Sequence, residues 1–439
     1  MIKFFIILLI SIINSYYSLN CISCFNKHSL IFNKSNIIKG NNTHIFESPI
    51  NITNIKILIN KLNLYSNQTN QSNIIFADNF ISKICYDKSA YTLFEYYLKN
   101  NLDKPYYIIN NESDFFQYLL NVNKTRNLIV YSENNLALFY GNLFKYLKNT
   151  KIIINAYSIP FLQKIVSFVP YIKYLKINHG IKHFKVLYAK TEFVNTLKKK
   201  MNVICSSPYE YELLTKELNY STDQIHNASL IRYDRFRYLS INKTEKKCIL
   251  MSFTYRSYSK DFFQKSVYKK NLDEILDDKE LILFLTKKNI DLIYIPHHQE
   301  IYLGKNYSQH FYEYAKIKNQ SVLEHYIEHC SLLITDFSSI SFDFMFQNKP
   351  VLFFHIDKNE KSYIIEKKFM ASPNDTLHFG NYYQKKKLLI DKIKYYAINN
   401  FNIGKKLKQK YESVFFFKTH IIETIVDIIN NITKGKFTK

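Results

Sequence analysis

The chain has 439 residues, 47% of them apolar, and carries 60 Lys and Arg against 36 Asp and Glu, a formal net charge of +24. That is a globular protein long enough for two domains of ordinary size, each with its own core. The charge favours polyanionic partners, yet the basic residues are dispersed and neither zinc-finger spacing nor an RNP-like aromatic motif occurs, which argues against nucleic acid.

In chain order, the first twenty residues, MIKFFIILLISIINSYYSLN, hold one early Lys, an apolar run from Phe4 to Ile13 and a polar exit. The run is shorter than the about 20 residues of a membrane span, so residues 1–20 are expected to be a signal peptide or a short membrane anchor. Asn-x-Ser/Thr sequons, for example at Asn51, Asn111, Asn227 and Asn306, suit a eukaryotic secretory glycoprotein. Cys21 and Cys24 follow the apolar run, but no second pair or nearby His cluster completes a metal site. Cys205, Cys248 and Cys330 lie in or beside apolar, strand-like runs and are expected to be buried thiols.

From Ile74 to about Tyr238, short apolar runs (NLIVY, KIIINAY, NVICS) alternate with amphipathic stretches such as Tyr91–Lys99 and Tyr209–Leu218. The alternation restarts at CILMSF and continues through DLIYIP, LLITD and PVLFF. Two α/β domains in tandem follow, 25–236 and 237–439, joined near the polar stretch 236–247, with one or two closing helices over Tyr411–Ile432 and a helix start expected near Ser413.

The chemistry sits where runs end. In LLITDFSSISFDFMFQNKPVLFF, two strands flank one helix's worth of residues, and Asp336, Ser338 and Ser339 fall at the carboxyl end of the first, where α/β sheets bind ligands. A helix start with two serines is suited to phosphate. INHGIKHFK places His179 before Gly180, and Gly tolerates backbone angles that let a His approach a substrate. LIYIPHHQ puts His297 directly after a strand; adjacent side chains there point apart, so His297 and His298 do not chelate one ion. ILMSFTYRS ends a strand with Thr254 and Arg256, donors for phosphate oxygens. LIRYDRF places Arg232 near Asp234, a spacing that alone indicates a structural salt bridge, and Ser206 and Ser207 in VICSSPYEYELL are suited to capping a helix.

In this order, His-Gly, Ser-Ser, Arg-x-Asp, Thr-x-Arg, Pro-His and Thr-Asp-x-Ser-Ser, the chain resembles the CDP-glycerol glycerophosphotransferase family, which includes the teichoic-acid primases and polymerases. The resemblance runs from about Ile177 to Phe354 and is strongest over residues 332–354. It implies a GT-B-like fold, two Rossmann-like domains facing across a cleft with the donor held by the second. It implies His179 as general base, His297 near the donor phosphates, and Asp336, Ser338 and Ser339 at the donor pyrophosphate. Thr254, Arg256, Arg232 and Asp234 match the family's donor-side motifs. The implied reaction moves a polyol phosphate, most simply glycerol phosphate, from a CDP-linked donor to a hydroxyl of a glycan or polyol-phosphate acceptor, releasing CMP. No cofactor or metal ligand set is called for, although a divalent cation is compatible with the chemistry.

Asn178 stands where the family often has Trp, Lys182 where Pro is usual, and Pro-His-His replaces Pro-His-Pro. The expected location is membrane-associated, at an anionic surface: the secretory lumen for a eukaryotic chain, otherwise the periphery of the bacterial inner membrane. The rival readings are a nucleotide-sugar glycosyltransferase on the same fold and a non-catalytic binder of glycans or lipid head groups. The pairing of His179 with His297 argues against the binder, which needs no base.

Overall fold

The computed structural model describes residues 73–78, 88–132, 136–157, 159–169, 171–181, 185–186, 200–238, 246–254, 256, 260–297, 315–318, 322–357, 369–370 and 381–435. Residues 1–20, Cys21, Cys24, Asn51, His298 and Asn306 lie outside them. In chain order the first half holds β1 (Asn73–Ala77), α1 (Ser89–Lys99), β2 (Lys104–Asn110), α2 (Asp114–Asn121), β3 (Leu128–Tyr131), α3 (Leu136–Leu147), β4 (Thr150–Asn155), α4 (Pro160–Phe168), β5 (Lys173–Lys176), β6 (Lys185–Val186), β7 (Met201–Cys205), α5 (Pro208–Glu212) and β8 (Ile225–Asn227). Helix α6 (Arg232–Tyr238) leads into the second half. That half holds β9 (Cys248–Met251), α7 (Lys260–Lys265), α8 (Val267–Leu276), α9 (Lys279–Lys287), β10 (Asp291–Tyr294), β11 (Ala315–Ile317), α10 (Leu323–His329), β12 (Leu332–Thr335), α11 (Ile340–Phe346), β13 (Val351–Phe354), β14 (Phe369–Met370), β15 (Asn381–Tyr383), α12 (Lys386–Ile398), α13 (Lys405–Glu412) and α14 (Ile421–Lys434).

Two parallel sheets result. The first runs β3-β2-β1-β4-β5-β7-β8 and the second β11-β10-β9-β12-β13-β15, a doubly wound α/β arrangement in both halves. Strands covered on both faces need continuous apolar runs, and β1, β7, β9, β12 and β13 are buried at every position. The side on which the chain adds successive strands switches once in each sheet, between β1 and β4 and between β9 and β12. In folds of this kind ligands bind beyond the strand ends at such switch points. Local chemistry fixes the helix starts: Ser113, Ser207, Ser266 and Asp278 each cap a helix by accepting from its first-turn N–H groups.

The halves are tied together in several places. Strands β6 and β14, one from each half, pair antiparallel. Helix α14 packs on α6 and β5, so the closing helix returns to the first sheet although the sequence reading assigned all of 237–439 to the second domain. Its N-terminus is anchored by Asp234, which accepts from Ile422 N at 3.2 Å. Tyr233, Phe346 and Phe415 form an aromatic knot at this join, with Tyr233 stacked on Phe346 at 4.2 Å. Each such pair adds about 0.5–1.5 kcal/mol beyond its buried area.

Two expectations need correction. The closing helix begins after His420, not near Ser413: Ser413 follows the last turn of α13 and its hydroxyl donates back to Lys410 O, while Val414 and Phe415 turn into the core. Cys205 is a buried thiol outside any disulfide, as expected, and donates to Ser207 O, but Cys248 and Cys330 form a disulfide between the starts of neighbouring strands β9 and β12. Sequence separation of 82 residues hid that pairing. Among the described residues no helix is long and apolar enough to cross a membrane.

Candidate active site

The second sheet's switch point is built around Arg256, which has no exposed surface. Its Nη2 lies 2.7 Å from Asp336, beyond β12, and its Nε and Nη2 donate to Asp357, beyond β13, at 2.6 and 2.9 Å. Nη1 donates to Thr254 O at 2.7 Å, and the guanidinium sits 5.3 Å from the Tyr268 ring. The second Asp336 oxygen accepts from Thr254 N at 2.8 Å. Burial alone would lower the pKa of Arg256; Asp336 and Asp357 more than reverse it and hold the guanidinium charged. One arginine therefore lashes three strand ends. Thr254, Arg256 and Asp336 were expected as donor ligands, but all three are enclosed, and Arg256 and Asp336 are engaged by protein groups. They brace the turn that carries Ser338 and Ser339.

Ser338 and Ser339 are half-buried. The Ser339 hydroxyl makes no capping bond to α11, while the Ser338 carbonyl accepts from both the N–H and the hydroxyl of Ser341. His297 is half-buried too and follows β10, beside β9 in the same sheet. The buried Lys349 runs under α10 and donates to the carbonyls of Ile327 and Glu328, closing that helix's C-terminus. Burial pulls its pKa down to about 7, with Glu328 opposing.

The first domain presents His179. Its ring stacks on Tyr157 with centroids 4.4 Å apart and planes 5° from parallel, and Nδ1 lies 3.3 Å from Ala156 O. A carbonyl only accepts, so Nδ1 carries the proton of the neutral ring and Nε2 the lone pair. Asn178, not Gly180, takes the left-handed backbone angle (φ 53°), and its amide donates to Ile204 O at 2.9 Å. Asn is among the few residues that tolerate that region, which gives this departure from the family pattern a backbone reason. Gly180 has no left-handed backbone angle, the reason read from sequence, but lies close to the second domain. A Cβ there would lie 2.7 Å from Ser339 Oγ and 3.2 Å from Ser339 Cβ, so a larger residue would make the Ser339 side chain or the loop shift where the His179 loop meets the start of α11.

Arg232 spans the same junction. Its Nε and Nη2 grip the Asp343 carboxylate on α11 at 2.7–3.0 Å, and its Nη1 donates to His179 O at 2.9 Å. Arg232 and Asp234 do not pair with each other, since Asp234 caps α14 instead. The structure therefore brings His179, Gly180, Arg232, Asp343 and Ser339 together across the domain junction. It places Thr254, Arg256, Asp336 and Asp357 beneath them, and His297 on a neighbouring strand end. Sequence reasoning missed Tyr157 and Asp357. For Asp357 the available signal was an acid three residues past a buried strand, the same offset at which Thr254 follows β9.

A model of the family described as CDP-Glycerol:Poly(glycerophosphate) glycerophosphotransferase matches residues 59–420. The chain belongs to this family. It is 25% identical over 376 residues to the minor teichoic acid biosynthesis protein GgaB of Bacillus subtilis (strain 168), covering 79% of this chain and 39% of that protein. This glycerophosphotransferase-family chain thus spans about two-fifths of its curated relative. A variant of the wall teichoic acid polymerase TagF superposes with a TM-score of 0.59 at 16% identity over 87% of this chain and 94% of that one. S. aureus MnaA in complex with UDP superposes with a TM-score of 0.52 at 12% identity over 84% and 98% of the two chains. At these identities the likeness is one of fold: two Rossmann-like domains of GT-B type.

Proposed function

We propose that this chain transfers glycerol phosphate from CDP-glycerol to a hydroxyl of a glycan or polyol-phosphate acceptor. Family membership supports the donor class, GgaB belongs to teichoic acid biosynthesis, and one TagF structure comes from a 30-minute soak with CDPG. The observation that carries the reading is the contact of the His179 loop with Ser339. It brings Gly180, the residue after His179, against Ser339 at a sheet's ligand end, while the His179 ring keeps its Nδ1 proton on Ala156 O.

Nε2 takes the acceptor's hydroxyl proton, and the oxygen attacks the phosphorus that bears glycerol. That phosphorus forms the new phosphodiester bond while its bond to the bridging oxygen breaks and CMP leaves with the electron pair. Ser338, Ser339 and His297 donate to the diphosphate oxygens as charge shifts toward CMP. Arg256, Asp336 and Asp357 hold the serine turn. Among the described residues no cluster of three or more His, Cys, Asp or Glu is arranged to hold a metal.

The test offers purified chain CDP-glycerol, CDP-ribitol and a panel of UDP-sugars with acceptor extract. CMP release from a CDP-polyol supports the reading; UDP release from a sugar keeps the fold and overturns the chemistry. Gly180→Ala is expected to lower turnover by about 10- to 100-fold by forcing the loop off α11. Ser339→Gly in the same chain, which removes both clashing atoms, is expected to restore part of it. Wild-type turnover in Gly180→Ala alone would show that this contact does not matter.

We further propose a membrane-associated location facing an oxidising lumen, with the +24 charge drawing the chain to an anionic surface. The buried Cys248–Cys330 disulfide supports this, since such bonds persist outside reducing cytoplasm. Peptide mapping without reductant is expected to find Cys248 joined to Cys330 and Cys205 alkylatable only after unfolding. Free Cys248 and Cys330 in chain taken from its native compartment would remove that support.

A further inference from the structure

We propose that Arg232 and Asp343 form a positioning pair that sets the main chain of His179 against the donor-side helix α11, so that the base and the phosphate turn move as one unit. The inference rests on the reading of His179 as base. Its ring is already fixed within the first domain by Tyr157 and Ala156 O, and the preceding residue by the Asn178 amide on Ile204 O. What those contacts leave open is the placement of this loop relative to the second domain.

Two groups supply it. Gly180 abuts Ser339, which limits approach but does not prevent separation. The Arg232 guanidinium prevents separation: two of its nitrogens hold Asp343, which is 1% exposed on α11, while the third holds the carbonyl of His179 itself. A clamp serving only domain adhesion would need no bond to that carbonyl. Arg232 opens α6, the link between the domains, so one planar group ties linker, base loop and donor helix. A planar fork does this where an ammonium does not, because the donors used sit on three separate nitrogens in one plane, whereas an ammonium offers its three from a single atom.

The test compares Arg232→Lys and the double variant Arg232→Met with Asp343→Leu against His179→Ala, each assayed for CMP release with CDP-glycerol. The apolar double variant removes both charges together, which a folded core tolerates far better than loss of one partner. Expected is a fall in kcat of about 10- to 100-fold in both Arg232 variants, with KM for CDP-glycerol within about threefold and an unchanged melting temperature in the double variant. Wild-type kcat in Arg232→Lys, or in the folded double variant, while His179→Ala is inactive, overturns the positioning role. Normal turnover in His179→Ala overturns the base reading instead. If the double variant fails to fold, the split between kcat and KM in Arg232→Lys decides.

Discussion

Replacing His179 by alanine is expected to lower transfer by about 10²–10⁴-fold, the range of general acid–base catalysis, with CDP-glycerol affinity held within a few-fold. The expectation follows from how the ring is held. Tyr157 and Ala156 O fix its plane and its tautomer from within the first domain, so its removal takes away the lone pair on Nε2 without disturbing Ser338, Ser339 or the turn beneath them. Stability should change little, since the side chain is exposed. Steady-state kinetics and donor titration on one preparation check both halves. A variant with normal kcat would remove the base, and one with intact kcat but much weakened donor binding would make His179 a donor ligand.

Arg256→Met is expected to cost about 3–5 kcal/mol of stability, the usual penalty for leaving buried charge uncompensated. Two carboxylates, Asp336 and Asp357, would then face each other with no cation between them, and three strand ends would lose their common tie. The pH dependence has a definite sign. Unpaired buried carboxyls bind protons more tightly in the folded than in the unfolded chain, so stability is lost as pH rises above their ordinary value of about 4. The deficit of the variant relative to wild type should therefore shrink as pH is lowered from 8 toward 5. Urea denaturation at several pH values measures it, and a midpoint close to wild type at pH 8 would mean that Arg256 is dispensable to the fold.

The elements themselves were legible because parallel strands buried on both faces must be apolar throughout: NIIFA, CILM, LLIT and VLFF show this without any partner in view. His179 and the Ser338–Ser339 turn were legible for a related reason, being polar residues at the ends of such runs. What stayed hidden is what joins distant parts of the chain. Arg256 meets Asp357 across 101 residues, Arg232 meets Asp343 across 111, and Cys248 meets Cys330 across 82. Sequence proximity suggested Arg232 with Asp234, but successive helical positions diverge, and these two face different neighbours. Gly180 was found for the wrong reason: a close approach between domains leaves no local mark, whereas a left-handed residue such as Asn178 can at least be suspected from its type.

The most direct measurement follows phosphorus. CDP-glycerol is incubated with the chain and acceptor extract, and ³¹P NMR of the acceptor fraction is compared with the CMP released. A phosphodiester signal growing in step with CMP, and absent with His179→Ala, is the predicted result. CMP release with free glycerol phosphate and no phosphodiester, or transfer of a sugar without phosphorus, would contradict it.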